Sequence, residues 1–384
     1  YNMRQLSLAD IQKYFATYIP ERPITSTDAE AISRATRGIP LAIRQAADIW
    51  KRGKSLSNLV GDTVDSTPHK EIVGKMTARY LLHVVDENDK DGIYALALAR
   101  GNITILKAMM ESNQSTNNSI SLDSRLRQLE RDYASVHVEN ARLHDEPSLF
   151  IREFLKNELH RTERNVRELN SRAVLSLEES LKQQENDLPE IEERCTNEDW
   201  VKTALDLTQY LFWLDENKAW HWFAQYFVDG LIYSDDLRNG LLQIGEEWKE
   251  WLSHSGKKRL KALGSTSNDG EESILELKKL KKLGWFRGEH EAERNAIINL
   301  MYAEVLRKQK KYLDTLSVFE RASSSVPTGK TKLRDQFSEA LYSLAEALAW
   351  PEGKLKKVIP SPEANRLLTL LKKFLPKEQY PLYT

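Results

Sequence analysis

Apolar residues recur every three or four positions along most of this 384-residue chain, and the sparse glycines and prolines fall between the periodic stretches. This spacing places the apolar side chains on one face of an α-helix. From residue 161 onward this helical spacing is the one period that we find in the sequence. The pattern therefore predicts a mainly α-helical protein, with other structure confined to short segments.

The composition is that of an ordinary globular protein, with 40% hydrophobic and 29% charged residues. This length and composition fit two or three domains with real cores. The formal net charge of −1 gives no reason to expect a nucleic-acid or membrane partner. No apolar run approaches the roughly 18 residues that span a bilayer.

The single cysteine, Cys195, cannot form an internal disulfide, which fits a reducing compartment and predicts a cytoplasmic protein. We expect its thiol to be structural. The chain begins Tyr1-Asn2-Met3, which resembles neither a signal peptide nor a natural start. We therefore expect it to belong to a longer protein.

Residues 1–55 predict a small helical bundle. Thr27 and Glu30 have the spacing of a capping box, in which each side chain pairs with the other residue's backbone at the start of a helix. Gly38 is placed to end that helix. Pro40 is placed to open the next one, because the first helical turn tolerates its missing N–H.

Residues 68–160 predict several helices followed by a β-hairpin. Residues 133–138 alternate with the period of two that is typical of a strand, residues 139–140 form the predicted turn, and residues 141–143 return. The polar residues 111–121 predict a flexible loop. Helices followed by a small hairpin are the arrangement of a winged-helix domain.

Residues 161–384 predict helical repeats of the tetratricopeptide (TPR) type. When Pro327 is set at repeat position 32, Ala303 falls at position 8, Phe319 at position 24 and Ala322 at position 27. Small residues at such positions let paired helices approach closely. We interpret the region as one clear TPR-like repeat with less regular neighbours.

Two polar stretches interrupt this repeat region. Residues 254–272 contain glycine and many polar residues and predict a mobile loop. Residues 278–282 contain four lysines around one leucine, which favours a solvated helix face. An acidic partner for these lysines is the alternative.

Neither of the two strings that end like a phosphate-binding P-loop meets its requirements. The strings are Gly53-Lys54-Ser55 and Gly329-Lys330-Thr331, and the glycine needed five residues earlier is replaced by Asp48 and Ser324. Each follows a predicted helix, whereas a P-loop follows a buried strand. Zinc-ligand spacings and Gly-x-Ser-x-Gly nucleophile motifs are absent from the sequence. We therefore predict that this chain is not an enzyme by itself.

Two short strings remain, Gly38-Ile39-Pro40-Leu41-Ala42 and Leu143-His144-Asp145. The structural interpretation makes the first a helix–turn–helix junction and makes Asp145 the N-cap of the following helix. The functional interpretation uses the rigid, apolar ring of Pro40 to cover an adenine and the imidazole of His144 to donate to a diphosphate.

Together the strings resemble the STAND class of signalling ATPases, and its NB-ARC branch in particular. The helical lid of that class carries a Gly-x-Pro-Leu-Ala string, matched by Gly38, Pro40, Leu41 and Ala42. Its winged-helix domain carries Met-His-Asp, matched by residues 143–145 with leucine in place of methionine. The resemblance covers about the first 160 residues, and the helical remainder resembles the sensor repeats of such proteins.

The resemblance implies that Gly38, Pro40 and His144 contact ADP or ATP, with Leu41 and Asp145 in supporting roles. Pro40 would contact the adenine and His144 the β-phosphate. The P-loop lysine and the magnesium-binding aspartates of the class have no counterpart here, so the nucleotide would be shared with an upstream ATPase domain. The implied partners are that domain, proteins bound by the repeats and, in the active state, further copies of the chain.

Two alternatives stay open. One is a TPR-like protein-interaction scaffold with no nucleotide role, in which both strings arise from helix capping alone. The other is a winged-helix regulator that reads DNA with residues 122–133. That helix carries three arginines and three acidic residues, which cancel the basic face that phosphate contact requires. We therefore do not expect a nucleic-acid partner.

Overall fold

The computed structural model describes residues 5–55, 69–110, 121–133, 136–137, 142–143, 145–158, 164–265, 270–329, 331–349 and 361–374. This part of the chain is mainly α-helical, as the sequence predicts. It divides into two compact units, Tyr1–Ser176 and Leu177–Thr384, and the division falls within one helix.

The first unit contains eight described helices, part of a ninth and one short antiparallel strand pair. The predicted lid and winged-helix segments both lie in it. Its elements are α1 (Leu8–Tyr18), α2 (Ser26–Thr36), α3 (Pro40–Lys51), α4 (His69–His83), α5 (Glu87–Ala99), α6 (Ile103–Met110), α7 (Leu122–Asp132), β1 (Val136–His137), β2 (Arg142–Leu143), α8 (Asp145–Glu158) and the start of α9 (Arg164–Asp187).

The second unit continues from α9 and is helical throughout its described residues. Successive helices pack against one another along the chain. They are α10 (Ile191–Thr196), α11 (Glu198–Leu214), α12 (Glu216–Ile232), α13 (Asp235–Trp248), α14 (His254–Leu263), α15 (Glu271–Lys282), α16 (Glu291–Lys308), α17 (Tyr312–Ala322), α18 (Lys332–Ala349) and α19 (Ser361–Phe374).

Capping boxes start the first two helices. Ser7 and Asp10 exchange side-chain and backbone hydrogen bonds at α1. At α2 the pair is Thr25 and Asp28, so the prediction of a box at Thr27 and Glu30 is wrong by two residues. Both pairs have the same spacing, and the burial of Ala29 and Ile32 against the rest of the bundle sets the register.

The strands β1 and β2 pair over two residues each, with Val136 opposite Leu143 and His137 opposite Arg142. This pairing is shorter than the predicted strands of residues 133–138 and 141–143. Val136 and Leu143 are both buried, and β2 packs against α5. The predicted loop 111–121 lies outside the described residues except for Ser121. The winged-helix interpretation stays a prediction.

Aromatic side chains form the core of the second unit. Trp200 meets Tyr226 edge to face with ring centroids 5.3 Å apart, and Trp213 meets Trp248 at 5.0 Å. All four residues are less than 5% exposed. Such pairs contribute about 0.5–1.5 kcal/mol each beyond the burial of their area. They fix how α11, α12 and α13 pack.

The residues that suggested a TPR-like repeat are all buried. Ala303 on α16 and Phe319 and Ala322 on α17 are each 0% exposed, and the two helices pack closely. Thr315 on α17 is also buried, and its hydroxyl donates to the backbone oxygen of Lys311. The packing fits a helical hairpin, and the repeat assignment stays a prediction.

The prediction of a loop over residues 254–272 is wrong, because α14 fills its first half. The side chain of Ser253 accepts from the backbone N–H of Gly256 and so caps this helix. Leu260 and Leu263 bury its apolar face. A lysine-rich surface and a helical glycine hide the amphipathic pattern, since only these two large apolar residues mark the buried side.

In the part of the chain that the structure describes, no helix combines the length and the apolar character needed to cross a lipid bilayer. Cys195 is buried, and burial raises the pKa of its thiol far above the usual value. A thiol that stays protonated is a poor nucleophile. This agrees with the structural role that the sequence suggested for it.

Candidate functional site

Gly38 lies in the turn between α2 and α3 and has a backbone that favours glycine. Its φ is +71°, in the left-handed region, and Arg37 before it is also left-handed. The backbone N–H of Leu6 donates to the Gly38 oxygen at 2.8 Å. A Cβ atom at Gly38 would lie 2.7 Å from the Leu6 oxygen. The glycine is therefore required by conformation and by close approach.

Pro40 is the first residue of α3, as predicted, and is partly exposed. Ile39 before it is extended and provides no side-chain cap. Leu41 is the second residue of the helix, and its side chain lies outside the described part of the structure. The first predicted string thus forms a tight turn followed by the start of a helix, with the proline ring partly open to solvent.

The second predicted string lies between β2 and α8. Leu143 ends β2 and is 1% exposed. His144 lies outside the described residues. Asp145 is the first residue of α8, one position inside the helix whose N-cap it was predicted to be, and its side chain is not described. The predicted roles of His144 and Asp145 therefore stay predictions.

The helices that begin at Pro40 and at Asp145 both pack on α4 in the first unit. Helix α3 packs against α4, where the buried Gln45 amide donates to the Thr77 hydroxyl at 3.0 Å. Helix α8 packs against α4 and α5, and Arg152 on α8 donates to the Ala97 oxygen at 3.1 Å. The two strings, about a hundred residues apart in sequence, are thereby held in one compact unit.

The far end of α3 is fixed to the α1–α2 connection. The guanidinium of Arg22 lies 3.8 Å from the centroid of the Trp50 ring and donates to the Trp50 backbone oxygen at 2.6 Å. The indole N–H of Trp50 donates to the backbone oxygen of Arg22 at 3.0 Å. Tyr18 also donates to Asp48 at 2.8 Å, and burial raises the pKa of that carboxyl. These contacts make α1–α3 a closed bundle.

A second cluster connects this bundle with the segment that precedes the strands. The Tyr133 hydroxyl donates to Asp89 at 2.9 Å and accepts from the Asp86 backbone N–H at 3.0 Å. Arg125 pairs with the other Asp89 oxygen at 2.6 Å. Arg52, just after α3, lies over the Tyr133 ring at 5.7 Å.

The sequence gives no sign of this cluster, because the residues that contact each other lie 36 to 81 positions apart and carry no motif. Burial, followed by the hydrogen bond and charge of Asp89, raises the pKa of Tyr133 to about 12. The hydroxyl therefore remains a donor at any physiological pH. The cluster connects Arg52, in the segment 1–55, with the described residues of the segment 68–160.

The cluster also weakens the DNA-binding alternative. Arg125 is one of the three arginines on α7, and it is engaged by Asp89 inside the unit. Arg127 and Arg131 are exposed, but so are Asp123, Glu130 and Asp132 on the same helix. The exposed surface of α7 therefore has no excess of positive charge for a phosphate backbone.

Neither P-loop-like string follows a strand. Gly53 lies in the turn after α3 with φ +77°. Thr331 caps α18 by accepting from the Arg334 backbone N–H at 3.2 Å, while Lys330 lies outside the described residues. Among the described side chains there is also no group of three or more His, Cys, Asp or Glu residues that could hold a metal ion.

Comparison of the chain with models of protein families, with curated proteins and with solved structures gave no match.

Proposed function

We propose that this chain is the regulatory part of a nucleotide-switched ATPase of the STAND type. Residues 1–55 would act as the helical lid, residues 68–160 as the winged-helix domain and residues 161–384 as a TPR-like sensor for a protein partner. ADP or ATP would be held by a P-loop domain and covered by this chain. The proposal rests on the resemblance of the two strings to that class.

The observation that best supports the proposal is the local structure around the first string. In the class, a Gly-x-Pro-Leu-Ala string opens a lid helix, and here Gly38 turns the chain and Pro40 begins α3. The ring of Pro40 is partly exposed, as a contact for an adenine requires. Helices, a strand pair that ends at Leu143 and a helix that begins at Asp145 follow one another in the chain, and this order supports the proposed winged-helix domain.

The proposed mechanism is a shift between two populations. ADP would stabilise a closed form in which the lid and winged helix contact the ATPase domain, and ATP would favour an open form that assembles with further copies. Moving such an equilibrium from 1:99 to 99:1 takes about 5.5 kcal/mol of differential binding. A histidine–phosphate hydrogen bond provides roughly 1.5–3 kcal/mol. His144 would therefore be one of several contacts that set the balance.

The test uses the protein in which this chain is joined to its ATPase domain. We expect His144→Ala to release bound ADP about 10- to 100-fold faster, in proportion to the lost hydrogen bond, and to shift the protein towards larger oligomers. Release is measured by stopped flow with a fluorescent ADP, and size by light scattering. His137→Ala, on the paired strand, is the matched control. Unchanged ADP release in His144→Ala would remove the proposed role.

The main alternative is a TPR-like interaction scaffold without a nucleotide role. One observation favours it: the backbone of Gly38 and the position of Pro40 at the start of α3 account for both residues without any ligand. This scaffold would bind its partner equally well with ADP, with ATP or with neither. A pull-down of the partner at several nucleotide concentrations distinguishes the two proposals.

A further inference from the structure

A cavity of about 550 Å³ opens within the second unit, among α12, α13, α15 and α16 and beside the end of α14. Cavities that hold small molecules measure roughly 300–1,000 Å³ and combine apolar walls with a few polar groups. We propose that this cavity binds an apolar molecule that carries a single carboxylate. This inference does not depend on the proposed nucleotide switch.

The walls of the cavity are mainly apolar. Side chains from five helices contribute, and an aliphatic or aromatic ligand would leave water by contacting them. The apolar residues that form most of the wall are Phe227, Leu242, Leu263, Ile274, Met301 and Val305.

Ser273 adds a hydroxyl to the wall. Ser273, in the first turn of α15, is 7% exposed and lines the cavity. None of the described residues forms a hydrogen bond with its hydroxyl. A hydroxyl both donates and accepts hydrogen bonds, so it suits a ligand oxygen within its reach. The wall therefore holds a polar group suited to a polar atom on an otherwise apolar ligand.

The charged groups of the lining favour an anion. Arg238 and Lys308 are cationic. Among the described lining residues the one carboxylate is Glu304, which Arg307 holds through bonds of 2.7 and 3.1 Å. Arg238 has an ion pair with Asp235, which involves one guanidinium nitrogen at 2.9 Å. A guanidinium has five N–H donors in a planar fork that matches a carboxylate.

The backbone of Arg238 packs closely against α12 at the edge of the cavity. Gly230 on α12 faces the first turn of α13, and a Cβ atom there would lie 3.0 Å from the backbone nitrogen of Arg238. The two helices therefore approach closely at this point, as a glycine in a helix interior allows. A fixed backbone lets the guanidinium bind a head group without first ordering the helix.

The experiment is calorimetric titration of the whole chain with dodecanoate and with dodecan-1-ol, below the concentration at which either aggregates. We expect dodecanoate to bind and the alcohol to bind at least about tenfold more weakly, because it lacks the charge that pairs with Arg238. Arg238→Gln should weaken the binding of dodecanoate by about tenfold and leave the binding of the alcohol unchanged. Lys282→Gln, an exposed lysine on α15 outside the cavity, is the matched control and should change neither.

Ser273→Leu fills part of the cavity and should weaken both ligands. If that variant does not fold, the comparison of Arg238→Gln with Lys282→Gln still tests whether the cavity binds a carboxylate. Absence of binding by either ligand overturns the proposal. Equal binding of the acid and the alcohol, or equal loss of dodecanoate binding in the two charge variants, also overturns it. Either result leaves the nucleotide proposal unaffected, because no residue of the two strings lies in this unit.

Discussion

Arg294 and Asp229 form a two-bond ion pair in the interior of the second unit, across 65 residues of sequence. The arginine Nε lies 2.9 Å from Oδ1 and Nη2 lies 2.8 Å from Oδ2. The residues are 7% and 1% exposed. Arg294 also donates to the Gln225 side chain and to the Glu289 backbone oxygen, so all three of its nitrogens are used.

Removing one partner of this pair should destabilise the second unit strongly. Asp229→Ala leaves a buried guanidinium without its counter-charge, and we expect a loss of about 3–5 kcal/mol. The loss of stability is measured by urea unfolding, with tryptophan fluorescence as the signal, because eight of the nine tryptophans lie after residue 177. Lys249→Gln, which breaks the exposed pair with Glu246, is the control and should cost less than about 1 kcal/mol. Similar losses in the two variants would contradict this account of the pair.

A pair of glycine substitutions separates backbone strain from close approach in the first unit. Gly38 and Gly53 both have φ above +70°. An added Cβ atom would meet a neighbouring atom, the Leu6 oxygen, at Gly38 and would meet none at Gly53. Each change to alanine should cost about 1–2 kcal/mol for the left-handed backbone. Gly38→Ala should cost measurably more, because the N-terminal segment must also move.

Amide hydrogen exchange of α1 and α3 measures this difference. We expect faster exchange near Leu6 and at the start of α3 in Gly38→Ala only. Equal exchange in the two variants would mean that the Leu6 contact contributes nothing to the bundle.

The raised pKa of Tyr133 predicts a loss of stability at high pH. A tyrosine in an unfolded chain ionises near pH 10, whereas Tyr133 in the folded protein has a pKa of about 12. The folded state therefore holds its proton more tightly, and this part of the stability is complete below pH 10 and is lost as the pH rises towards 12.

Tyr133→Phe should lower the stability at pH 7 by about 1–3 kcal/mol, because Asp89 loses a donor and the Asp86 N–H loses an acceptor. The stability of the variant should also decline less above pH 10, because the contribution of Tyr133 to this decline is removed. Thermal unfolding followed by circular dichroism at pH 7, 10 and 11 tests both statements. A wild-type protein and variant that decline in parallel would show that Tyr133 does not titrate as described.

Local signals in the sequence predict the helices well. Pro40 starts α3 and the turn at Gly38 precedes it, as the sequence predicts, because proline and glycine act on the backbone within a few residues. The loop prediction for 254–272 failed, since a lysine-rich surface concealed a helix that two buried leucines hold in place.

Long-range contacts were beyond the sequence analysis. The pairs Tyr133–Asp89 and Arg294–Asp229 depend on how helices cross, and no motif or spacing marks them. At the candidate site, the sequence located the turn at Gly38 and the helix start at Pro40. The backbone contact with Leu6 gives a purely structural reason for a glycine at position 38. This contact appears only when the fold is known.

Under the proposed function, Pro40 and His144 border one nucleotide site. The most direct measurement is the distance between spin labels in the Pro40→Cys, His144→Cys double variant. Cys195 can stay in place, because its buried thiol has a strongly raised pKa and reacts slowly. We predict one narrow distance distribution, short enough for both labelled positions to contact a molecule the size of ADP. A longer distance, at which no single nucleotide reaches both positions, would contradict the account.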